Sequence, residues 1–238
     1  MTFRLNPDLD RKALRRAFDA DGRLHVPNVL EAASAQRLHE TLNATRDWVF
    51  VFNRGNRHFE VTPENFARMP KEALLEMQRD IFETARDGFQ LAYDVVNVSK
   101  KTDTVLTSDP VLVDLHAFMN GPDYIGFLRD ITGLERGAWC DVTATRYKPG
   151  HFCEMHDDSA DDGERLIAFV LNMTLRWRPD WGGLLLFIDE RGNISRGLTP
   201  AFNALNLFRT PQPHTVSAVT PFAGANRLSI TGWLRPKA

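Results

Sequence analysis

Cysteine is scarce in this chain, and long apolar runs are missing. Two cysteines, Cys140 and Cys153, among 238 residues do not make a disulfide framework, so we expect free thiols in a reducing cytoplasm. No segment approaches the roughly 18 consecutive apolar residues that cross a bilayer. The first residues are charged and amphipathic and lack the apolar segment of a signal peptide, so neither a membrane span nor export is expected.

Charge of one sign is not in excess either. The chain has 29 Lys and Arg against 31 Asp and Glu, a formal net charge of -2, which does not favour binding to nucleic acid. Internal repeats and low-complexity segments are absent from the sequence. With 43% hydrophobic residues the chain can bury a sizeable core, and we expect one domain over residues 1–238.

Residues 1–136 have mainly helical patterns. The segments "DPVLVDLHAFMNG" and "PDYIGFLRDITG" each have a proline near the start and a glycine at the end, as helices prefer. Apolar spacing predicts one face of a longer helix from Leu74 through Phe89 to Ala92. Two short strands are predicted before it, in "GRLHVPNVL" and "VFVF". This part is therefore expected to form a helical layer with a leading strand.

The pattern changes near Gly137. Short β-rich segments such as "ERLIAFVLNMT", "GGLLLFIDERG" and "RLSITGWLR" alternate with clusters of Gly, Pro, Asn and Asp, as in sandwiches and barrels. Helices followed by an all-β part are typical of an α+β protein. We predict that the helical layer packs on a β core formed by residues 137–238.

The stretch "YKPGHFCEMHDD" ends a predicted strand with a histidine and two aspartates. In an extended strand residues i and i+2 point the same way, so His156 and Asp158 share a face and Asp157 faces away. His214, in "PQPHTVSAV", begins a later strand and can supply a third ligand. Two imidazoles and one carboxylate make the facial triad of non-haem Fe(II) oxygenases.

Other interpretations of this stretch stay open at this point. His156 can be a surface histidine beside an acidic turn, and Asp158, like Asp157, can be a turn residue. His214 can be an ordinary loop histidine. His151 competes as a ligand, but it lies in a glycine turn without a carboxylate two residues on. A structural or substrate-side role is therefore preferred for His151.

One arginine stands in an otherwise apolar strand, "RLSITGWLR". A buried Arg227 needs an anion to pair with, and its planar fork suits a carboxylate held through two hydrogen bonds. Ser229, two residues on, shares its face and can donate a further hydrogen bond. An ion pair with a nearby aspartate is the alternative. Trp233 is predicted to lie in the core.

Four motifs occur in order: "YKPGHFCEMHDD", "WGGLLLF", "PHTVSAV" and "RLSITGW". Together they resemble the iron(II)- and 2-oxoglutarate-dependent dioxygenases, in particular the prolyl 4-hydroxylase-like branch. The resemblance covers residues 137–235 well and the preceding part only in general character. It implies a double-stranded β-helix core, that is, a cupin-like jelly roll, with the N-terminal helical layer packed on it.

The resemblance also implies which residues form the site. His156, Asp158 and His214 would hold Fe(II), and Arg227 would bind the distal carboxylate of the cosubstrate 2-oxoglutarate, with O2 as the oxidant.

Two further positions lie close to the implied cosubstrate pocket. Tyr147 matches a tyrosine that often lines this pocket in the family. Asn172 falls near a position where relatives often carry a tyrosine, so the contacts there are expected to differ.

The implied activity is hydroxylation of an unactivated C–H bond, in a prolyl residue or a free amino acid, with release of succinate and CO2. The expected partner is a small-molecule or peptide substrate, with no nucleic acid and no membrane. One alternative is a cupin-like metal hydrolase or isomerase, which would not need Arg227. The other is a non-catalytic β-helix binding module, although such relatives typically lose a metal ligand and this chain keeps all three.

Overall fold

A computed structural model of the chain describes residues 2–55, 57–99, 104–159 and 164–237. The helices in this part are α1 (Arg11–Asp21), α2 (Ala32–Ala44), α3 (Pro63–Arg68), α4 (Lys71–Asp87), α5 (Pro110–Met119) and α6 (Pro122–Thr132). Of these helices, none is both long and apolar enough to cross a membrane.

Strands occur in both halves of the chain. They are β1 (Arg23–Val26), β2 (Val49–Arg54), β3 (Arg57–Val61), β4 (Leu91–Asn97), β5 (Gly137–Cys140), β6 (Thr143–Tyr147), β7 (Phe152–His156), β8 (Ile167–Asn172), β9 (Leu185–Ile188), β10 (Ile194–Leu198), β11 (Ala204–Arg209), β12 (His214–Val216) and β13 (Arg227–Pro236).

These strands form one curled antiparallel sheet. Its main path runs β1-β11-β8-β13-β6-β4-β7-β12-β9-β10, with β2 beside β4, β3 beside β2 and β5 beside β13. Four of the strands come from residues before 137. Helices beside a mainly antiparallel sheet make the molecule α+β, as predicted. The division at residue 137 stays a prediction.

The two faces of the sheet bury different side chains, as β8 shows. Ile167, Phe169 and Leu171 belong to the large core that includes the helices. Ala168 and Val170 belong to a separate cluster with residues of β9 and β11, inside the curl. Since every residue of β8 is buried, this strand is covered on both faces. The curl therefore encloses an interior of its own, and side chains on that face can form a site.

The large core joins the sheet to four helices. Phe18 of α1, Leu38 of α2, Leu112 of α5 and Phe127 of α6 are each 0% exposed. Burial of such a side chain stabilises the fold by about 1.5–3 kcal/mol. The helical layer therefore fixes one face of the sheet and leaves the interior of the curl for the site.

Helices α5 and α6 begin and end where the sequence predicts. Asp109 accepts hydrogen bonds from the backbone N–H groups of Val111 and Leu112, and Pro110 stands at the first position of α5. Gly133 ends α6 in the left-handed conformation, with φ 71°, which glycine adopts without steric cost.

A smaller apolar cluster forms a side wall of the curl. Phe50 and Phe52 of β2 pack with Met77 and Ile81 of α4 and with Ala92 of β4. This cluster ties the β2–β3 hairpin and α4 to the edge of the interior. The helix predicted to continue through Phe89 and Ala92 was too long, because α4 ends at Asp87 and Leu91 starts β4.

Candidate metal centre and cosubstrate pocket

Three predicted ligands meet at one end of the curled sheet. Asp158 Oδ1 lies 3.5 Å from His156 Nε2, and Asp158 Oδ2 lies 3.6 Å from His214 Nε2. One ligand atom from each residue lies within 4.8 Å of the others. His156 and His214 are directly opposite each other on β7 and β12, so the sheet register itself brings the two imidazoles together.

The hydrogen bonds of both histidines leave the same nitrogen free. His156 Nδ1 donates to the Glu154 carbonyl at 2.8 Å, and His214 Nδ1 donates to the Gln212 carbonyl at 2.7 Å. A carbonyl only accepts, so each Nδ1 carries a proton, and it is Nε2 of each ring that faces Asp158 and has the lone pair when the imidazole is neutral. Burial lowers the pKa of His214 to about 4, which keeps its ring neutral.

The backbone turns after β7, and this turn directs the Asp158 side chain towards the two histidines. The strand ends at His156, and Asp158 has a positive φ of 64°, an uncommon conformation for a residue other than glycine. The predicted proximity of His156 and Asp158 is therefore correct, but a turn causes it rather than strand alternation. Asp157 Oδ1 accepts from the Ser159 N–H at 2.9 Å, as expected of a turn residue.

A second arginine, which sequence reasoning missed, lies against the metal ligands. Arg165 Nη1 lies 3.6 Å from Asp158 Oδ1, and its guanidinium stacks 3.9 Å from the ring centroid of Trp233. Trp233 packs against the buried cluster inside the curl, as its predicted core position requires, and it also lines the same cavity as the ligands, which was not predicted. It alternates with core residues on β13 and faces the interior of the curl.

His151 is not part of the ligand group. The described groups of residues able to hold a metal comprise His156, Asp158 and His214. The His151 ring instead packs 5.4 Å from the ring of Phe50, and burial lowers its pKa to about 4. This placement accords with the structural role preferred from the sequence.

A cavity of about 420 Å³ extends from the metal ligands into the curl. Its wall includes Tyr147, whose ring stacks on Tyr93 at 4.7 Å with an interplanar angle of 16°. The Arg227 guanidinium lies 5.0 Å from the Tyr147 ring centroid. Burial raises the pKa of Tyr147 well above its usual range, so this phenol stays neutral beside the arginine.

Ser229 and Asn172 lie beside Arg227 at the inner part of the sheet. Ser229 Oγ is 2.9 Å from Thr145 Oγ1, and Ser229 is opposite Asn172 in the pairing of β13 with β8. Asn172 Nδ2 donates to the Ala204 carbonyl at 3.1 Å, whereas its Oδ1 is buried without a hydrogen bond.

Arg227 is buried without a compensating anion among the described residues. Its side chain is 1% exposed, its Nε makes no hydrogen bond, and burial lowers its pKa. A buried charge of this kind is costly unless it is paired. The unpaired donor and the neighbouring polar groups fit a ligand with a carboxylate, and the two imidazoles and carboxylate at the mouth fit Fe(II).

Comparison with known proteins agrees with this donor set. Residues 142–235 match the family model described as the 2OG-Fe(II) oxygenase superfamily. This segment is of the 2OG-Fe(II) oxygenase type. The match confirms the resemblance and the enzyme class predicted from the sequence, and with them the cofactors Fe(II), 2-oxoglutarate and O2. No curated protein matches the chain.

Several solved structures have a fold similar to that of this chain. A prolyl-4-hydroxylase from Pseudomonas putida has a TM-score of 0.62 at 20% identity, covering 95% of this chain and 99% of that one. A Trichoplax adhaerens prolyl hydroxylase, in complex with a hypoxia inducible factor oxygen degradation domain peptide fragment, has a TM-score of 0.60 at 17% identity, covering 95% and 89%.

A third similar structure is that of an epimerase. The non-heme alpha ketoglutarate dependent epimerase SnoN, from nogalamycin biosynthesis, has a TM-score of 0.55 at 11% identity and covers 95% of this chain and 85% of that one. At these identities the likenesses show the fold alone. They confirm the predicted jelly-roll core.

Proposed function

We propose that this oxygenase hydroxylates an unactivated C–H bond of a prolyl residue in a polypeptide, with release of succinate and CO2. The observation that carries the oxygenase assignment is a facial ligand set on the metal cavity together with the buried Arg227. Its guanidinium lies 5.0 Å from the ring of Tyr147 in the cavity wall, and its Nε makes no hydrogen bond. A metal hydrolase or isomerase has no need of that arginine, and a binding module has no need of both features.

In this proposal His156, Asp158 and His214 hold Fe(II) through their Nε2 and carboxylate atoms. Bound Fe(II), with 2-oxoglutarate and O2, supplies the oxidant for the C–H bond. The protein contributes orientation: the two backbone carbonyls fix the imidazole tautomers, and Arg165 lies against the Asp158 carboxylate. Such partners keep ligand groups in a fixed orientation.

The cosubstrate is proposed to lie with its distal carboxylate at Arg227. The planar guanidinium can donate two parallel hydrogen bonds to a carboxylate, and the Ser229 hydroxyl can donate a third. The stacked rings of Tyr93 and Tyr147 cover one side of the pocket and exclude water, which strengthens the charged pair. Asn172 Oδ1 is a free acceptor near this pocket.

The substrate is proposed to reach the cavity between Phe89 and Trp233. The Phe89 ring lies 5.4 Å from His156, and both aromatic residues line the cavity. Such rings suit an apolar ring like that of proline. The Trichoplax prolyl hydroxylase was solved with a peptide, which supports a peptide over a free amino acid. A cytoplasmic location stays a prediction from the cysteine content.

The test is turnover of the full chain with Fe(II), 2-oxoglutarate and ¹⁸O2. Proline-centred peptides and free proline are offered separately, succinate is measured, and products are analysed by mass spectrometry. We expect one ¹⁸O atom in the peptide for each succinate above background. An ¹⁸O atom in free proline alone would reject the polypeptide substrate, and no succinate under any condition would reject the oxygenase.

A further inference from the structure

Gln212 is hydrogen-bonded to both segments that carry the candidate metal ligands. Its backbone N–H donates to the Asp157 carbonyl at 2.9 Å, in the turn between His156 and Asp158. Its own carbonyl accepts from His214 Nδ1 at 2.7 Å. A single residue outside the ligand set is therefore bonded to the turn that carries two ligands and to the ring of the third.

The sequence around Gln212 restricts its backbone. Pro211 and Pro213 flank it in "TPQPH", and a proline has no backbone N–H. Gln212 therefore has the one N–H group between Thr210 and His214. The residue before a proline is also restricted to extended conformations. Because the neighbouring residues offer no other donor, the position of Gln212 determines how this segment binds the turn after β7.

The side chain of Gln212 is bound by an arginine that is distant in the sequence. Arg23 of β1 donates to Gln212 Oε1 through Nε at 3.3 Å and through Nη2 at 3.1 Å. A guanidinium has donors and no acceptor, so the amide oxygen of Gln212 has to face it. Two N–H groups converge on this one oxygen, which restricts rotation of the Gln212 side chain.

An aromatic ring determines where the Arg23 guanidinium lies. Its central carbon is 4.6 Å from the centroid of the Phe187 ring, within the range of a cation–π contact. Phe187 is 1% exposed and lies opposite His214 in the pairing of β9 with β12. The ring is fixed by its burial, so the guanidinium that packs on it has few other positions.

Arg23 also lies where the two edges of the curled sheet approach each other. The strands β1 and β10 are the ends of the main strand path, and Arg23 Nη1 donates to Ser195 Oγ of β10 at 3.4 Å. Arg196 of β10 links the same edges, because its Nη1 donates to Asp21 Oδ2 at 2.8 Å. Arg196 therefore provides a matched control for a role of Arg23 in joining the edges.

We propose that Arg23 is a positioning residue for the metal centre and acts through Gln212. By fixing the Gln212 side chain, Arg23 keeps in place the carbonyl that accepts from His214 and the N–H that binds the turn before Asp158. Both hydrogen bonds orient ligand atoms. Removal of such outer partners typically weakens metal binding by about 10–100-fold. This inference rests on the proposed function, because it takes His156, Asp158 and His214 as the ligands.

The experiment is a double-mutant cycle on the full chain, with Co(II) as the probe metal. Co(II) binds the same kinds of ligand as Fe(II), and its visible absorption reports binding and geometry. The four proteins are the unchanged chain, Arg23→Met, Gln212→Met and the double variant. Methionine keeps an unbranched stem and removes the hydrogen-bonding group. Competition with a chelating dye gives the Co(II) dissociation constants, and urea unfolding of the metal-free proteins measures general stability separately.

Each single variant should weaken Co(II) binding on the order of tenfold, because each breaks the same contact. The double variant should bind no more weakly than either single variant, since a shared contact is lost only once. Gln212→Glu keeps an acceptor for Arg23 and should retain most of the affinity. Arg196→Met should bind Co(II) like the unchanged protein, although it also loses a link between the sheet edges.

The ring proton of His214 gives an independent readout. In the Co(II) protein the Nδ1–H protons of both ligand histidines give paramagnetically shifted resonances, and NMR measures their exchange with solvent. Arg23→Met should speed the exchange of the proton bonded to the Gln212 carbonyl and leave the proton bonded to the Glu154 carbonyl slow. A merely structural role would lower the stability of the metal-free protein without this selective effect.

Four results would overturn the inference. Unaltered Co(II) affinity in both single variants would show that the contact does not position the ligands. A double variant weakened on the order of a hundredfold would show that Arg23 and Gln212 act independently. An equal loss in Arg196→Met would attribute the effect to the sheet edges. Absence of Co(II) binding to the unchanged protein would reject the proposed metal centre itself, and with it this inference, whereas the other three results reject the inference alone.

Discussion

Among the residues of the candidate site, Arg227 is a buried cation that has no anion beside it unless a ligand supplies one. Its neighbours within the curl are an aromatic ring, small polar groups and apolar side chains, and its Nε makes no hydrogen bond. By contrast, the buried Arg235 donates through Nε to Asp141 Oδ2 at 2.9 Å. Arg235 therefore belongs to a structural ion pair, whereas no carboxylate among the described residues forms an ion pair with Arg227.

Removal of the Arg227 side chain should mainly weaken 2-oxoglutarate binding. A buried arginine–carboxylate pair contributes about 2–5 kcal/mol, so Arg227→Ala should raise the dissociation constant by roughly two orders of magnitude or more. Arg227→Lys should recover part of this, because lysine keeps the charge but loses the fork. Ser229→Ala should cost on the order of 1 kcal/mol. Calorimetric titration measures all three; equal constants for Arg227→Ala and the unchanged protein would contradict the assignment.

His151 should make the protein less stable in acid. Burial lowers its folded-state pKa to about 4 from an ordinary 6.5, so between these values the unfolded chain binds more protons. Stability contributed by the neutral ring is therefore lost as the pH falls from 6.5 towards 4, by up to about 3 kcal/mol. Urea unfolding should show a shallower pH dependence for His151→Gln than for the exposed control His58→Gln. Parallel curves would exclude this role.

Residue types and their order were enough to predict that three side chains able to bind a metal meet in one place, but not which residues surround them. His156, Asp158 and His214 carry chemistry that few other functions need in that order. Arg165 had no such signal, because it follows an acidic loop and its partners, Asp158 and Trp233, are set by tertiary contacts. Local sequence does not state which distant ring a guanidinium will stack on.

At the scale of elements, β13 is the strand that the site depends on most. It pairs with β8 on one side and with β6 on the other. Its side chains alternate between the two faces of the sheet: Leu228 and Ile230 lie in the large core, and Arg227 and Ser229 lie on the opposite face. A change in the path of this strand would move the cosubstrate residues and the core together.

Gly232 of β13 has no space for a side chain. A Cβ there would lie 1.9 Å from the Asp141 carbonyl oxygen and 2.8 Å from Phe169 Cζ. Gly232→Ala should therefore destabilise the protein by about 1–3 kcal/mol or prevent folding. Gly126→Ala, in α6 with nothing within 4 Å, should stabilise by up to ~1 kcal/mol. Thermal unfolding of both variants is the measurement, and equal midpoints would contradict this packing.

Helical spacing predicted α4 well in its middle and badly at its end. Phe89 and Ala92 continue the apolar period, but Gly88 has an extended backbone, with φ -157° and ψ -179°. Gln90 then binds β2 through its side chain, and Leu91 starts a strand. The apolar spacing alone could not predict where the helix ends, because the hydrogen bonds that compete with the helix come from residues distant in the sequence.

At the scale of the whole molecule, the curled sheet converts sequence order into a site. His156 and His214 are far apart in the chain but opposite each other in the β7–β12 pair. The alternation of short β segments was enough to predict an antiparallel core after residue 137. It was not enough to predict that β1 to β4 extend the same sheet, since register and neighbours depend on long-range pairing.

The central claim is that one cavity binds Fe(II) through His156, Asp158 and His214 and presents 2-oxoglutarate to it. The most direct test is a titration of the Fe(II) protein with 2-oxoglutarate under nitrogen. The signal measured is the charge-transfer absorption of the Fe(II) complex. The unchanged protein and the turn variant Asp157→Asn should give a saturable absorption, and Asp158→Ala should give none. Absence of the absorption in the unchanged protein, or its full retention in Asp158→Ala, would contradict the account.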